Sequence, residues 1–251
     1  MSNDIEPDPK PLSNESDIRA SKETSSDCST CPFRHATFCS AVLGSGKDST
    51  RRRTSEGTIR ARQHLHKQGD ARGRVMVLRD GWAVRFVQTP EGRRQVLSIL
   101  IPGGVAGGDI LLHNEVRVPV QAITPVEYCA FDTDDLKAIA DRDPNVVWAF
   151  LGICFSGHEA SEARIIDLGR RSAEQRIARL VLNLHERLTA RGLATDDTMP
   201  FPLRQQTIAD ALGLTQVHVS RVMTSMRALG VIRLASGSLT ILDMQGLRDL
   251  A

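Results

Sequence analysis

"RQQTIADALGLTQVHVSRVMTSMRALG" (residues 204–230) decides how the rest of this chain is read. Ala209 stands where two helices must cross closely, Gly213 supplies a tight turn, and Val219 anchors a second helix. Ile208, Leu212, Leu214 and Val222 fill the supporting apolar positions, so the stretch reads as a helix-turn-helix. Thr215 is the expected N-cap of the second helix and Gly230 its stop. The next stretch, "VIRLASGSLTIL" (residues 231–242), predicts a small β-hairpin turning at Ser236-Gly237-Ser238. Together they make a winged helix.

A unit of this kind lays its second helix in the major groove of double-stranded DNA. Behind the Thr215 cap, its N-terminal half presents Gln216, Val217, Ser220 and Arg221 to base edges. Arginine grips guanine O6 and N7 bidentately, and glutamine pairs with adenine. Arg204, Arg227 and Arg233 are candidates for phosphate contacts, which supply affinity rather than sequence choice. His218 reads as an exposed residue between these positions. The alternative use of such a helix pair is docking to another protein.

Upstream, "ATDDTMPFP" (residues 194–202) reads as a linker, and Ala173 to Arg191 as a helix stopped by Gly192. After Asp143-Pro144, Val147, Leu151, Cys154, His158, Ser161, Ile165 and Leu168 follow one another at alternating gaps of four and three. This is a heptad seam on a long helix, suited to a core or to a second copy of the chain. Cys154 on that seam reads as a buried thiol. From about Gly73 the text turns strand-like, with hairpin signals at Asp80-Gly81 and Pro90-Glu91-Gly92, and "VPVQAITPVEYCAF" (residues 118–131) continues it. Strands at this spacing predict an antiparallel β-barrel of jelly-roll, cupin-like form. The fold class is therefore α+β. Residues 1–27 form a disordered tail, 28–143 a cysteine segment with a sensory barrel, 144–172 a dimerisation helix and 173–251 a winged-helix DNA-binding domain.

Composition narrows the function. The chain has 251 residues, 41% hydrophobic and 25% charged, as in an ordinary globular protein. A net charge of +2 means that any nucleic-acid surface must come from local clustering of basic residues. The basic triplet Arg51-Arg52-Arg53 reads as a solvated turn. The longest apolar run, Val96 to Leu112, is interrupted by Pro102 and Asp109 and is too short to span a bilayer. Without a secretory signal the protein reads as cytoplasmic. Three of its five cysteines fall in "DCSTCPFRHATFC" (residues 27–39). In a reducing compartment such a cluster favours metal or redox chemistry over disulfides. Cys28, Cys31 and Cys39 with His35 would make a zinc site; free thiols are the other alternative. No strand–CxxC–helix context or neighbouring base supports a redox enzyme, and the chain reads as non-enzymatic.

Barrel, seam helix and winged helix in this order resemble the Crp/Fnr family of bacterial transcription regulators. "SAEQRIARLVLNL" and "TIADALGLTQVHVSRVMTSMRALGVI" are similar to the family's own text, and the resemblance covers nearly the whole chain after residue 27. It implies a homodimer zipped by the 144–170 helix, reading a two-fold symmetric DNA site and working with RNA polymerase. The family's cyclic-nucleotide binders carry Gly-Glu-Leu and Arg-Ser in a phosphate cassette. Here "AGGDILLHNEVRVPVQA" (residues 106–122) has Asp109 for the Glu, and Val118-Pro119 after Arg117, which argues against cyclic-nucleotide binding. A small molecule, haem or nitric oxide remains an alternative signal.

The oxygen-sensing Fnr branch holds a [4Fe–4S] cluster with three N-terminal cysteines and a fourth on a barrel strand. The resemblance assigns Cys28, Cys31 and Cys39 as three ligands and Cys129 as the fourth, two residues displaced from the enteric position but on the same strand face. Two departures follow. Ser161 stands where such sensors carry a seam carboxylate that repels its twin, so reorientation of a standing dimer is the expected switch. Val217 stands where the Fnr recognition helix has Glu, so the base read there should differ.

Overall fold

The computed structural model describes residues 28, 31–33, 37–43, 55–71 and 74–251. The tail at 1–27, His35 and the triplet Arg51-Arg52-Arg53 lie outside the described residues. The described chain runs α1 (Thr37–Leu43), β1 (Ser55–Ile59), β2 (His64–His66), β3 (Val75–Asp80), β4 (Ala83–Gln88), β5 (Arg94–Leu100), β6 (Val105–Ala106), α2 (Ile110–His113), β7 (Val120–Ala122) and β8 (Val126–Phe131). It continues through α3 (Thr133–Arg142), α4 (Asn145–Arg170), α5 (Ala173–Thr189), β9 (Thr198–Pro200), α6 (Gln205–Leu212), α7 (Gln216–Ala228), β10 (Ile232–Ala235), β11 (Ser238–Ile241) and α8 (Met244–Asp249).

The N-terminal strands form two antiparallel sheets, β1-β8-β3-β6 and β2-β7-β4-β5. They stack as a jelly roll, and among the described strands the hydrogen-bonded ring does not close into a barrel. Leu65, Leu78, Leu100, Val126 and Tyr128 fill the layer between them. The sequence reading needs two corrections here. Strands begin at Ser55 rather than near Gly73. Asp80-Gly81 is not a hairpin but the point where the chain crosses from one sheet to the other, since β3 and β4 do not pair. The crossing requires glycine: Gly81 has φ +83°, and a Cβ there would meet the Pro125 carbonyl oxygen at 2.0 Å. The Pro90-Glu91-Gly92 hairpin joins β4 to β5 as expected.

Each sheet has a second, outward face, and different partners cover the two. On the outer face of the β1-β8-β3-β6 sheet, α1, α3 and the start of α4 pack around Phe38, Val42, Leu136 and Val146. On the outer face of the other sheet, Trp82, Val84, Phe86 and Ile99 share one continuous core with α5, α6 and α7. β5 is an edge strand there, and arginines satisfy its carbonyls: Arg164 donates to Val96 O (3.0 Å), Arg187 to Ile99 O (2.8 Å) and Arg191 to Pro102 O just beyond it (2.8 Å). Burial holds the Arg187 guanidinium down to about 10, with Arg191 and Arg164 adding repulsion.

The C-terminal module is a winged helix. α5 starts at a capping box, in which Gln175 N donates to Ser172 Oγ (3.3 Å) and Ser172 N to Gln175 Oε1 (2.9 Å). Residues 194–202, read above as a linker, instead contain β9, which pairs with β11 and makes the wing three-stranded. Met199 and Phe201 are buried there, an apolar contribution that the surrounding Thr, Asp and Pro concealed. Ser236 (φ +49°) and Gly237 (φ +78°) turn the wing hairpin where the sequence indicates.

Candidate functional site

Two sites stand at opposite ends of α4. At the first, strand alternation aims Cys129. Val126, Tyr128 and Ala130 point between the sheets, so Cys129 and Phe131 point outward, toward α1 and α4. On β3, Val75 and Val77 lie opposite Phe131 and Cys129 and share that face. α1 lies over this patch, fixed by an edge-to-face contact between Phe38 and Phe131 with ring centres 5.7 Å apart. The helix brings in Cys39, and the short segment before it brings in Cys28 and Cys31. All four cysteines therefore line one cavity, together with Phe33, Val77, Arg79 and Phe131.

The cavity is small, about 20 Å³. Val77 and Cys129, paired across β3 and β8, line it from the sheet side, and Cys28, Cys31 and Phe33 from the other. Cys39 is 8% exposed and Cys129 7%, while Cys28 and Cys31 are partly exposed. Burial, followed by the proximity of Cys129, Cys31 and Cys28, pushes the Cys39 thiol up to about 12. The buried Cys39 thiol therefore resists deprotonation unless a cationic centre balances it. Soft thiolates converging on one point suit iron–sulfur or zinc chemistry. A zinc ion would draw its sulfurs to about 3.8 Å from one another, as Zn–S bonds of about 2.3 Å require. Among the described residues no three Cys, His, Asp or Glu side chains are grouped tightly enough to hold one metal ion. Phe33, Val77, Arg79 and Phe131 were not anticipated; strand alternation with Cys129 could have found Val77, Arg79 and Phe131 once β3 was known to pair with β8.

α4 links the cavity to the second site. Its inner side carries Val146, Phe150 and Ile153, which pack into the cysteine-side core beside α1. Its outer side is bare in the single chain. Val147 (45%), Leu151, Ile165 (70%) and Leu168 are exposed. Cys154 is also exposed, which corrects the buried-thiol reading for the chain taken alone. The seam is wider than the heptad reading: Trp148 (70%) and Phe155 (64%) lie on the same exposed side. Ser161 Oγ donates to Gly157 O (2.8 Å), so its hydroxyl is satisfied within the helix. His158 pairs with Glu162 at 3.3 Å, which puts a carboxylate on this surface one residue beyond Ser161. At its far end Leu168 reaches the helix-turn-helix: a Cβ on Gly213 would lie 3.0 Å from Leu168 Cδ2. Arg176 pins this corner by donating to Leu168 O (2.7 Å), Arg171 O (2.9 Å) and Leu212 O (3.1 Å).

The second site is the face of α7. Thr215 Oγ1 caps the helix by accepting from His218 N at 3.2 Å. Val219, Val222, Met223 and Met226 are buried against α5 and α6. This rotates Gln216, Val217, Arg221 and Thr224 outward, with Ser220 half-buried among them. Val217 is 67% exposed, an apolar side chain presented to solvent in the middle of a polar face. Arg204, at the N-cap position of α6, and Arg233, on the wing, are exposed as well. Arg227 donates to Thr224 Oγ1 (3.0 Å) and so lies along its own helix. Thr224 is the residue of this face that the sequence reading omitted; it falls one turn beyond Ser220.

At the cassette-like stretch, Asp109 Oδ2 accepts from Arg117 N (3.0 Å), so the carboxylate closes its own loop. No described helix is long and apolar enough to cross a membrane.

Residues 175–250 match the Crp-like helix-turn-helix domain, and residues 56–143 match the cyclic nucleotide-binding domain. The nitrogen fixation regulation protein FixK of Bradyrhizobium diazoefficiens is 29% identical over 231 residues, covering 89% of this chain and 93% of the relative. The anaerobic regulatory protein of Haemophilus influenzae is 28% identical over 192 residues, covering 76% and 74%. Among solved structures, FixK2 from Bradyrhizobium japonicum superposes with a TM-score of 0.70 at 24% identity, covering 78% of this chain and 96% of that one.

Proposed function

This chain belongs to the Crp/Fnr family of DNA-binding transcription regulators, and on that premise we propose that it acts as a homodimer that reports oxygen through a [4Fe–4S] cluster on Cys28, Cys31, Cys39 and Cys129. The observation that carries the reading is the convergence of four cysteines from three separate segments on one cavity. The name of the Haemophilus relative, an anaerobic regulatory protein, points the same way. When bound, the cluster supplies four iron–thiolate crosslinks and a centre that oxygen or nitric oxide destroys.

The chain's own residues do the rest. As ligands of such a cluster, Cys28, Cys31 and Cys39 would tie α1 to Cys129 on β8. Through Phe38 and Val42, α1 packs into the same core as Phe150 and Ile153 of α4. That contact sets the rotation of α4 and of its bare outer side, on which a second copy seats. The far end of α4, held by Arg176 and by Leu168 at Gly213, then fixes where each α7 sits, so that two copies meet half-sites about one DNA turn apart. Without the crosslinks α1 would be held by its apolar contacts alone, among them Phe38 on Phe131. The cassette-like loop lacks the Arg-Ser pair and turns its Asp109 carboxylate inward, so cyclic nucleotide is not the proposed signal.

Anaerobic purification tests the reading. Iron and acid-labile sulfide near four each per chain are expected in the wild type and are lost in Cys129→Ala. A colourless anaerobic protein without iron or sulfide would remove the sensing proposal and leave the DNA-binding assignment intact. Stoichiometric zinc without sulfide would replace the cluster by a structural metal.

A further inference from the structure

Among the described residues that line the cysteine cavity, Arg79 is the only charged one. Its position follows from strand order. β8 lies between β1 and β3, and Cys129 is directly opposite Glu56 on one side and Val77 on the other. Residues opposite one another share a sheet face, so Glu56 stands beside Cys129 on the cavity side. Arg79, two residues beyond Val77, reaches back across β8, and its Nη1 donates to Glu56 Oε2 at 3.2 Å. Both side chains are largely buried, 28% and 15% exposed. Water therefore screens their charges incompletely.

This placement has an electrostatic consequence. Four thiolates outweigh the positive charge of a cubane core, so the loaded cavity holds a net anion among Phe33, Val77 and Phe131. We propose that Arg79 is the counter-charge of that anion, and that Glu56, by pairing with Arg79, sets how much of the positive charge the cavity feels. Arg79 is in this sense a positioning and tuning residue, not a ligand. The inference rests on the cluster reading above.

The test uses the full-length protein, purified anaerobically and assayed for iron and sulfide, as wild type, Arg79→Met, Arg79→Lys and Glu56→Gln. The midpoint potential is read by electron paramagnetic resonance during a mediated dithionite titration. Each dithionite takes up two waters, becomes two bisulfite ions and two protons, and passes one electron to each of two 2+ clusters, which become 1+. A nearby cation favours the more negative, reduced form. Arg79→Met is expected to lower the reduced-to-oxidised ratio at fixed potential about tenfold, which is about 59 mV for a one-electron couple. Arg79→Lys keeps the charge and stays within about threefold of wild type, or about 30 mV. Glu56→Gln releases the guanidinium from its carboxylate and shifts the potential upward.

The opposite signs are decisive, because loss of a merely structural ion pair moves both variants the same way or neither. Shifts of one sign, or no shift in loaded protein, overturn this inference and leave the cluster reading standing. Absence of iron and sulfide from the wild type overturns both together. Should Arg79→Met fail to load, the upward shift in Glu56→Gln and the retention in Arg79→Lys still decide the matter.

Discussion

Replacing Trp148 and Phe155 together by Ser should dissociate the dimer while sparing the fold of each chain. A buried Trp or Phe removes roughly 150–250 Å² from water. In the single chain these two rings remain 70% and 64% exposed, leaving roughly 100–170 Å² of each still available. If a partner copy covers half of that, the four rings of a dimer bury about 200–340 Å². At about 25 cal/mol per Å² this amounts to about 5–8 kcal/mol, or between three and six orders of magnitude in the dissociation constant. Association entropy is common to wild type and variant and cancels from the difference. Sedimentation velocity across a nanomolar-to-micromolar dilution series measures the change. Urea denaturation of the monomeric variant serves as control, since neither ring is in the chain's own core. A contrasting variant, Ile153→Ala, lies on the opposite side of α4 and should lower stability without a comparable effect on association. A dissociation constant for the double variant within tenfold of wild type would refute the assignment of this surface to a second copy.

Other outcomes follow from single residues. Arg221→Ala should weaken operator binding by about 1–3 kcal/mol, roughly 5- to 150-fold, and relax base preference, whereas Arg204→Ala should weaken all sequences alike and reduce the salt slope by about 1; fluorescence anisotropy with specific and scrambled duplexes separates them. Val217→Glu should change which base is preferred at one position of a randomised-duplex selection, because a carboxylate accepts from cytosine N4 and an isopropyl group cannot. Gly213→Ala places a side chain at φ +63° and should cost about 1–2 kcal/mol in denaturant unfolding, with Gly213→Asn costing less; a neutral alanine variant would contradict the left-handed turn. His66 is 2% exposed, and its pKa lies below 6.5 because burial outweighs the nearby Asp70 and Asp109. Its unfolded form takes up a proton below pH 6.5 while the folded form does not, so stability falls as pH drops through that range; His66→Asn should flatten the fall in urea midpoints measured between pH 7.5 and 5.5.

Legibility differed by the range of the signal. The helix-turn-helix was readable to the residue because its requirements are local: a small residue at the crossing, a left-handed Gly213, a Thr215 cap. The wing turn at Ser236-Gly237 and the start of α5 at Ser172 were readable for the same reason. β9 was missed because three residues between Asp197 and Phe201 carry no periodicity of their own; pairing with β11 makes them a strand. The heptad spacing found α4 but misjudged the breadth of its bare side, since the same helix also buries Phe150 and Ile153. Only the packing partner tells which residues of a helix remain outside.

Local chemistry in this chain dictates the order and type of the elements, the reading helix and the clustering of Cys28, Cys31 and Cys39. None of those signals says where residue 129 goes. A strand's alternation states that Cys129 shares a face with Phe131, but not which way that face looks until β8 is seated between β1 and β3. Long-range packing made that choice, together with the meeting of Glu56 and Arg79 across β8 and the covering of the two sheets by different partners. Backbone preferences act over a few residues, whereas convergence of groups ninety or more positions apart is settled by which apolar faces can be buried at once.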